Sequence, residues 1–266
     1  MHTLGIIGGG NMGEAIIRGA IREGVLRPEQ ILVAEVNEAR LKELASLGCA
    51  VSRHAADAVA AEQIMLAVKP QMLEKLADAF SRLENSKPVI SIMAGRHSRT
   101  IRGVLGEHAR VVRVMPNTPC QIGAGMSVIA LGEGAKPGDE ELAERVFNSI
   151  GRCLKMDEAH LHAVTAVSGS GPAYLFLLAE AMEQGAAQLG LPHGDRRILV
   201  AQTLFGAARL LVESDRTADA LRQAVTSPGG TTAAALEVMF EAELPQIVAE
   251  AILAARQRGE ELDQGA

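Results

Sequence analysis

The feature that most constrains the fold is a glycine-rich stretch near the N-terminus, residues 8–13, which reads GGGNMG and matches G-x-G-x-x-G. It directly follows a short apolar run, residues 3–7, and it opens a stretch with helical periodicity. In this strand–turn–helix context Gly8 permits a tight turn, Gly10 lets backbone approach a pyrophosphate, and Gly13 lets helix and strand pack closely. The sequence therefore predicts a dinucleotide-binding domain at the N-terminus.

The remainder of the N-terminal half alternates short apolar runs with helical patterns. Runs of four or five apolar residues without polar alternation are typical of strands that are buried on both faces of a sheet. Strands that alternate with helices indicate a parallel, doubly wound sheet of the Rossmann type. We predict strands over residues 3–7, 31–34, 64–68, 89–93, 111–115 and 126–131, and helices over residues 11–23, 38–47 and from residue 70 to about Arg82.

The C-terminal half has a different pattern, in which long helical periodicities dominate. We predict helices over residues 173–189, 196–213, 233–241 and from residue 244 to about residue 261. This half is rich in alanine and strongly apolar, which predicts burial of helical surface against another subunit. The fold class is thus α/β, with an N-terminal Rossmann-type doubly wound parallel sheet in residues 1–157 and an all-α C-terminal dimerisation domain in residues 158–266.

Composition and charge exclude several classes of function. The 266 residues carry a net charge of −6 without a Lys/Arg block, and aromatic residues make up 2%, which argues against a nucleic-acid partner. The three cysteines are odd in number and form no CxxC pair, so we expect reduced thiols. None of the seven histidines forms an i, i+4 ligand pair, so we expect no metal site.

The N-terminus and the apolar pattern predict a soluble, cytoplasmic protein. The N-terminus has no basic segment, and glycines interrupt its apolar stretch at Gly5 and at residues 8–10, which is unlike a signal peptide. No apolar run approaches the ~18 residues of a membrane span. We therefore expect no membrane partner.

The acidic residue after the second predicted strand bears on the choice of dinucleotide. A carboxylate at the position of Glu35 accepts hydrogen bonds from the adenosine ribose and repels a 2′-phosphate, which favours NADH. Asn37 and Arg40 follow closely and are able to receive a 2′-phosphate. The sequence therefore predicts binding of NAD(P)H, favours NADH, and leaves NADPH open.

Four further motifs follow the glycine loop in a fixed order. They are residues 67–70 (AVKP), 115–119 (MPNTP), 168–174 (SGSGPAY) and 227–232 (SPGGTT). Together with the loop they resemble the pyrroline-5-carboxylate reductase family, and the resemblance extends over essentially the whole chain. It implies an NAD(P)H-dependent oxidoreductase that reduces 1-pyrroline-5-carboxylate to L-proline, the last step of proline biosynthesis. It also implies a homodimer through the C-terminal helices, which in the family is often joined into a larger homo-oligomer.

The resemblance assigns residues to the cofactor. The turns after the predicted strands contact it in the family, which agrees with the rule that ligands bind beyond the carboxyl ends of parallel strands. Asn117 is expected near the nicotinamide. The other residues expected to bind the cofactor are Ile7, Gly8, Gly9, Gly10, Asn11, Met12, Glu35, Ala67, Val68, Lys69, Pro70, Met93, Ala94 and Gly95. Lys69 itself is equally well explained as a lysine in a solvated turn.

The SPGGTT motif carries the expected substrate site. Its glycines, Gly229 and Gly230, expose backbone N–H groups, and the helix N-terminus that follows attracts a carboxylate. The resemblance implies that Thr232 is the catalytic residue and hydrogen-bonds the ring nitrogen, while Ser227, Thr231 and local amides hold the carboxylate. If the imine arrives protonated, no strong general acid is required, and the rate comes mainly from positioning.

Other functions remain to be weighed against a reductase. A 3-hydroxyacid dehydrogenase needs a catalytic lysine in its second domain, and no lysine follows Lys155. A non-catalytic dinucleotide-binding redox sensor has no use for the anion-binding loop at residues 227–232. A reductase of a related cyclic imine stays open. Residues 168–174 are predicted to begin a helix near the site, without a catalytic role.

Overall fold

The computed structural model describes residues 2–81, 83 and 85–264. Residue 1, the predicted helix end at Arg82, residue 84 and residues 265–266 lie outside the described residues. The chain forms two compact units. One, here called the sheet unit, extends to Ser170 and resumes at Ala255; the other, here called the helical unit, is Gly171–Ala254.

The sheet unit is built on one sheet of eight strands in the order β3-β2-β1-β4-β5-β6-β7-β8. Neighbouring strands are parallel except for β6 and β7, which are antiparallel. The strands are β1 Leu4–Ile7, β2 Ile31–Ala34, β3 Ala50–Ser52, β4 Gln63–Leu66, β5 Lys87–Ser91, β6 Ala109–Met115, β7 Gly125–Leu131 and β8 Gly151–Lys155. The chain reverses direction across the sheet between β1 and β4, and ligands of doubly wound sheets bind at such a switch point.

Helices cover the two faces of this sheet because successive side chains of each strand point to opposite sides. Ile6 of β1 belongs to one buried apolar cluster and the adjacent Ile7 belongs to another. The helices of the unit are α1 Asn11–Arg22, α2 Glu38–Ser46, α3 Ala55–Val59, α4 Ala77–Phe80, α5 Ser98–Leu105, α6 Glu141–Asn148 and α7 Leu161–Val164. The first cluster packs against α1 and α6, and the second against α3, α4 and α5.

The helical unit contains α8 Gly171–Gln188, α9 His193–Glu213, α10 Ala218–Ala224, α11 Thr231–Glu241 and the beginning of α12 Leu244–Gln264. All its residues are described, and Val200 alone among them is buried. Large apolar side chains such as Phe176 and Leu177 are 63% and 67% exposed. The helical unit therefore lacks a core of its own. Exposed apolar surface of this kind is typical of an interface that another chain covers.

The predicted α/β fold class is confirmed, and several of its details are corrected. The antiparallel β7 makes the sheet mostly rather than wholly parallel. Six strands were predicted, without β3 and β8, whose residues are mostly half-buried or exposed and lack an apolar run. After Pro70 the chain first forms a 3-10 helix, Pro70–Leu76, before α4. The short α3, α5, α6, α7 and α10 are absent from the prediction.

One helical run differs from the expectation that no stretch approaches a membrane span. Within the described part of the chain, the helical run Glu158–Gln188 is long and apolar enough to cross a membrane by length and composition. Only 11% of its most apolar 18-residue stretch is buried. Small residues such as glycine and alanine separate its large apolar side chains, which is why the sequence shows no continuous run.

Candidate active site

The glycine loop has the geometry that a dinucleotide turn requires. Gly8 has a φ of +103°, and a Cβ there would lie 2.6 Å from the Ala67 carbonyl oxygen. A Cβ on Gly13 would lie 2.5 Å from the Gly8 carbonyl oxygen, so this position brings α1 close to β1. A Cβ on Gly10 would meet no atom within 4 Å among the described residues. Two glycines are therefore required by the chain itself, while Gly10 leaves its backbone open to a ligand.

The N-terminus of α1 faces this open backbone. The helix begins at Asn11 directly after Gly10, and no described side chain caps it. Free N–H groups and the helix dipole at such a terminus favour an anion. The helix is held in place by its buried face, which includes Ile16 and Ile17. The arrangement can bind a pyrophosphate.

The turns after β1 and β4 lie side by side at the switch point. The Ala67 N–H donates to the Ile7 carbonyl at 2.8 Å, and the Gly8 N–H donates to the Ala34 carbonyl at 2.9 Å. Val68 is half-buried and Lys69 is exposed at the start of the 3-10 helix. These bonds bring the predicted cofactor residues of three strands to one edge of the sheet.

Glu35 links the turns after β1 and β2. Its Oε2 accepts from the Gly9 N–H at 2.7 Å, and its Oε1 accepts from the N–H groups of Val36 and Asn37 at 2.7 and 2.9 Å. A carboxylate has about four acceptor positions, so about one remains for a ribose hydroxyl. The sequence predicts that Glu35 contacts a ligand. It gives no sign that the same carboxylate also accepts hydrogen bonds from the backbone of the loop.

Arg40 is already bonded to the loop and to two carboxylates. Its guanidinium donates to the Gly9 carbonyl at 2.9 Å, to Glu43 Oε2 at 2.6 Å and to Glu14 Oε2 at 2.7 Å. Hydrogen bonds from Arg18 and then Arg40 hold the pKa of the Glu14 carboxyl below its ordinary value. Arg40 is therefore a component of the loop, and two carboxylates already neutralise its charge.

The turn after β5 rests on a buried arginine. Arg113 lies in β6, donates to the Met93 carbonyl at 2.8 Å and reaches Glu158 Oε1 at 3.3 Å. Burial lowers the pKa of the Arg113 guanidinium, and Glu158 opposes that shift. Ala94, the next residue of the turn, is exposed. Arg113 thus shapes a predicted cofactor turn, although nothing in the apolar run of β6 indicates this.

Asn117 organises the end of β6. Its Oδ1 accepts from the Met126 N–H at 2.9 Å, and its Nδ2 donates to the Ser168 carbonyl at 3.2 Å. Ser168 lies in a π-helical segment, Thr165–Gly169, and such segments are frequent at functional sites. The side chain therefore fixes the turn to β7 and to this segment, and its place near a nicotinamide stays a prediction.

The predicted substrate loop lies in the helical unit and forms a tight turn. Gly229 has a φ of +68°, and the Gly230 N–H donates to the Ser227 carbonyl at 3.0 Å. A Cβ on Gly230 would lie 2.3 Å from Ser227 Oγ. The turn leads into α11, which begins at Thr231 and carries no side-chain cap within the described residues. Thr232 is half-buried in the first turn of this helix. The N-terminus of α11 can therefore receive a carboxylate.

The described cysteines form no disulfide, in agreement with the expected thiols. Burial raises the pKa of Cys120, which follows the turn of Asn117, and that of Cys153 to about 12. Thiols of this kind are poor nucleophiles at neutral pH.

The structure also brings together side chains that sequence spacing does not connect. His97, His162 and Asp263 come from three distant segments of the sheet unit, and their ligand atoms lie within 4.8 Å of one another. Spacing along the chain cannot reveal such a cluster, because only tertiary packing joins α12 to the turn after β5.

Two family models match the chain. Residues 158–262 match the model for pyrroline-5-carboxylate reductase dimerisation. Residues 3–95 match the model for coenzyme F420-dependent NADP oxidoreductases. The first match covers the SPGGTT motif, and the second covers the glycine loop.

Similar proteins and structures agree with these matches. The chain is 39% identical to a pyrroline-5-carboxylate reductase of Pasteurella multocida, over 97% of this chain and 96% of that protein. It superposes on a pyrroline-5-carboxylate reductase of Coxiella burnetii with a TM-score of 0.88 and 35% identity, over 98% of both chains. The pyrroline carboxylate reductase of Plasmodium falciparum, solved with NADP bound, has a TM-score of 0.86 and 26% identity over 98% of both chains.

Proposed function

The chain belongs to the pyrroline-5-carboxylate reductase family, and from this premise we propose the roles that its residues play. It is an oxidoreductase that reduces 1-pyrroline-5-carboxylate to proline with NAD(P)H. The observation that carries this assignment is the 39% identity over 97% of the chain. The proposals below concern the residues, the dinucleotide and the assembly.

The cofactor site consists of the turns at the carboxyl edge of the sheet. The open backbone at Gly10 and the N-terminus of α1 receive the pyrophosphate. Asn117 is proposed to lie near the nicotinamide. The remaining cofactor residues are proposed to be Ile7, Gly8, Gly9, Asn11, Met12, Glu35, Ala67, Val68, Lys69, Pro70, Met93, Ala94 and Gly95. Their support is the clustering of these turns around β1 and β4.

The dinucleotide preferred is NADH. Glu35 keeps a negative charge beside the loop, and this charge repels a 2′-phosphate. Arg40, the cation best placed in sequence to receive that phosphate, is bound to Glu14 and Glu43. Both features support NADH over NADPH.

The substrate carboxylate binds at the N-terminus of α11. Ser227, Gly229, Gly230 and Thr231 are proposed to hold it, because their turn leads directly into the uncapped N-terminus of α11, which favours an anion. Thr232 hydrogen-bonds the ring nitrogen and is proposed as the catalytic residue. It is half-buried in the first turn of α11, next to the residues proposed to hold the carboxylate.

The reaction adds a hydride to the imine carbon and leaves the proton on nitrogen. When bound, the reduced nicotinamide supplies the hydride. A protonated imine accepts it directly, so the residues of the chain have to bind, orient and exclude water rather than donate a proton. The absence of a Glu/His catalytic pair from the sequence motifs agrees with this mechanism.

The assembly is a homo-oligomer through the dimerisation domain. We propose a homodimer formed by the C-terminal helices, which is able to join into a larger homo-oligomer. The exposed apolar side chains of α8 and the lack of a core in the helical unit support this proposal. They also account for the apolar run Glu158–Gln188 without a membrane, and we propose a cytoplasmic location.

The start of the dimerisation match at residue 158 supports domain limits of 1–157 and 158–266.

The experiment that tests the function is the oxidation of NADH and NADPH, measured in parallel after adding 1-pyrroline-5-carboxylate. We expect proline as the product and a faster reaction with NADH. Thr232→Ala should lower kcat sharply while NADH binding stays unchanged, and Thr217→Ala is the control because Thr217 caps the neighbouring α10. Retained dinucleotide binding without turnover would favour a redox sensor or a related cyclic imine as substrate.

A further inference from the structure

We propose that His97, His162 and Asp263 form a binding site for a divalent transition-metal cation such as Zn²⁺. The site uses none of the residues proposed above for cofactor or substrate. Two imidazoles and one carboxylate form a ligand set that zinc uses in proteins.

The three ligands converge from separate elements of the sheet unit. His97 precedes α5, His162 lies in α7, and Asp263 lies in the last turn of α12. Close approach of α12 depends on glycine, because a Cβ on Gly259 would lie 3.1 Å from His162 Nδ1. A cation at this point would connect the C-terminal helix with the turn after β5.

The distances fit ligands of one small cation better than hydrogen bonds. Nε2 of His97 and Nε2 of His162 lie 3.5 and 3.6 Å from the same oxygen, Asp263 Oδ2. Hydrogen bonds between nitrogen and oxygen are about 2.9 Å long. Ligands at about 2.0–2.1 Å around a tetrahedral zinc are about 3.3–3.4 Å apart. These two separations are close to the edges of such a tetrahedron, and the ligand atoms of the two histidines lie within 4.8 Å of each other.

The surroundings orient the ligands as the outer shell of a metal site does. The other oxygen of Asp263 accepts from the His97 backbone N–H at 2.7 Å, which turns Oδ2 toward the two rings. The other ring nitrogen of His97 faces Glu158 Oε1 at 3.5 Å. Glu158 is itself fixed by the Ser98 N–H at 2.7 Å and by Arg113. A carboxylate behind a histidine ligand is the usual outer-shell partner.

The exposure of the three side chains leaves room for entry and for a fourth ligand. Asp263 and His162 are 10% and 17% exposed, whereas His97 is 46% exposed. The cation therefore enters on the His97 side, where a water or a small anion completes a tetrahedron. Two half-buried ligands and one exposed ligand describe a site that exchanges its metal with solvent.

The test is the titration of metal-stripped, full-length protein with Zn²⁺ by calorimetry, without substrate or dinucleotide. We expect one Zn²⁺ per chain, and affinity at least about tenfold weaker in Asp263→Asn and His162→Gln. His160→Gln is the matched control, since His160 is exposed two residues away and should leave the affinity unchanged. Zn²⁺ should also raise the Tm of the wild-type protein by roughly 5 °C at a hundredfold excess over Kd.

A second readout separates this site from other ligands on the surface. Co²⁺ bound to the wild-type protein should give the visible absorption of a tetrahedral site, and His97→Gln should remove it. Circular dichroism checks the fold of each variant. If Asp263→Asn or His162→Gln alters the spectrum, His97→Gln decides the test, because His97 is the most exposed of the three ligands. No saturable Zn²⁺ binding, or equal affinity in the wild type and the ligand variants, would overturn the proposal. Neither result depends on reductase activity.

Discussion

At the level of single residues, the glycine loop separates positions where the chain itself needs a glycine from one where it does not. Gly13 has no room for a Cβ because the Gly8 carbonyl lies in the way. Gly10 has room and an ordinary φ of −69°, so the chain itself does not require a glycine there. This difference supports the role in pyrophosphate binding that is proposed for Gly10.

Alanine at these two positions should have opposite effects. Gly13→Ala should destabilise the protein by about 1–3 kcal/mol, as expected for overpacking. Gly10→Ala should leave thermal unfolding unchanged and weaken NADH binding, because its methyl group occupies the approach to the pyrophosphate. Thermal denaturation and NADH fluorescence titration of both variants check this. Equal Tm values for the two variants would contradict the assignment.

Glu35 and Arg40 combine two roles in the same way. Each is bonded to the backbone of Gly9, so each supports the loop in addition to the proposed effect on the choice of cofactor. A residue that the sequence indicates as a specificity determinant is thus also part of the scaffold. Glutamine at position 35 removes the charge and keeps the shape and the acceptor for Val36 and Asn37, but it loses the acceptor that faces the Gly9 N–H.

Glu35→Gln should change the choice of dinucleotide. The amide removes the negative charge that repels a 2′-phosphate, so we expect the ratio of kcat/KM for NADPH to that for NADH to rise about tenfold, equivalent to about 1.4 kcal/mol. Steady-state kinetics with both dinucleotides measure this ratio. Glu38→Gln, a nearby exposed carboxyl, is the control. An unchanged ratio in Glu35→Gln would mean that the preference is set elsewhere.

At the level of elements, buried charges connect strands to the loops that follow them. Arg113 joins β6 to the turn after β5, and Arg110, in the same strand, pairs with Asp139 through two bonds of 2.8 Å. Burial disfavours the Asp139 carboxylate, but the Arg110 guanidinium and the Lys136 amide outweigh it and hold the pKa of Asp139 below its ordinary value. The loop before α6 is thereby held to the sheet.

This pair should contribute to the acid sensitivity of the fold. Since the folded pKa of Asp139 is lowered, its stabilisation is present above the unfolded pKa of about 3.9 and is lost as pH falls through the folded pKa. Asp139→Asn should cost about 2 kcal/mol at pH 7, and the difference from wild type should vanish at acid pH. Chemical denaturation at several pH values measures it. Glu62→Gln, an exposed carboxyl, should show no such difference.

At the level of the whole molecule, the two compact units differ in how they are stabilised. The sheet unit has a fully buried strand in β1, whereas Val200 is the one buried residue of the helical unit, all of which is described. Helices with so little internal burial need another surface against them. This need supports the proposed homo-oligomer through the dimerisation domain.

Charges placed on the exposed face of α8 should dissociate the oligomer. The double substitution Phe176→Glu and Leu177→Glu puts two carboxylates on the apolar face that the proposed interface covers. We therefore expect a smaller species and a loss of reductase activity. Light scattering after size-exclusion chromatography measures the mass. Lys42→Glu, an exposed change in α2, should keep the wild-type mass. A double variant of unchanged mass would place the interface elsewhere.

The sequence alone determined the features whose physical cause is local. Gly8 and Gly13 had to be glycines because of their own turn, and apolar runs such as that of β4 predicted buried strands because burial on both faces excludes polar alternation. The order of the motifs then indicated the family, which the comparisons confirm. The roles of the individual site residues stay predictions.

Only the tertiary structure decided what depends on distance between remote segments. The antiparallel β7, the half-buried edges β3 and β8, and the arginine under the turn of Met93 have no local signature. The same holds for the cluster of His97, His162 and Asp263. A sequence records spacing along the chain, whereas these contacts arise where helices and strands pack across it, and packing is set by the whole core at once.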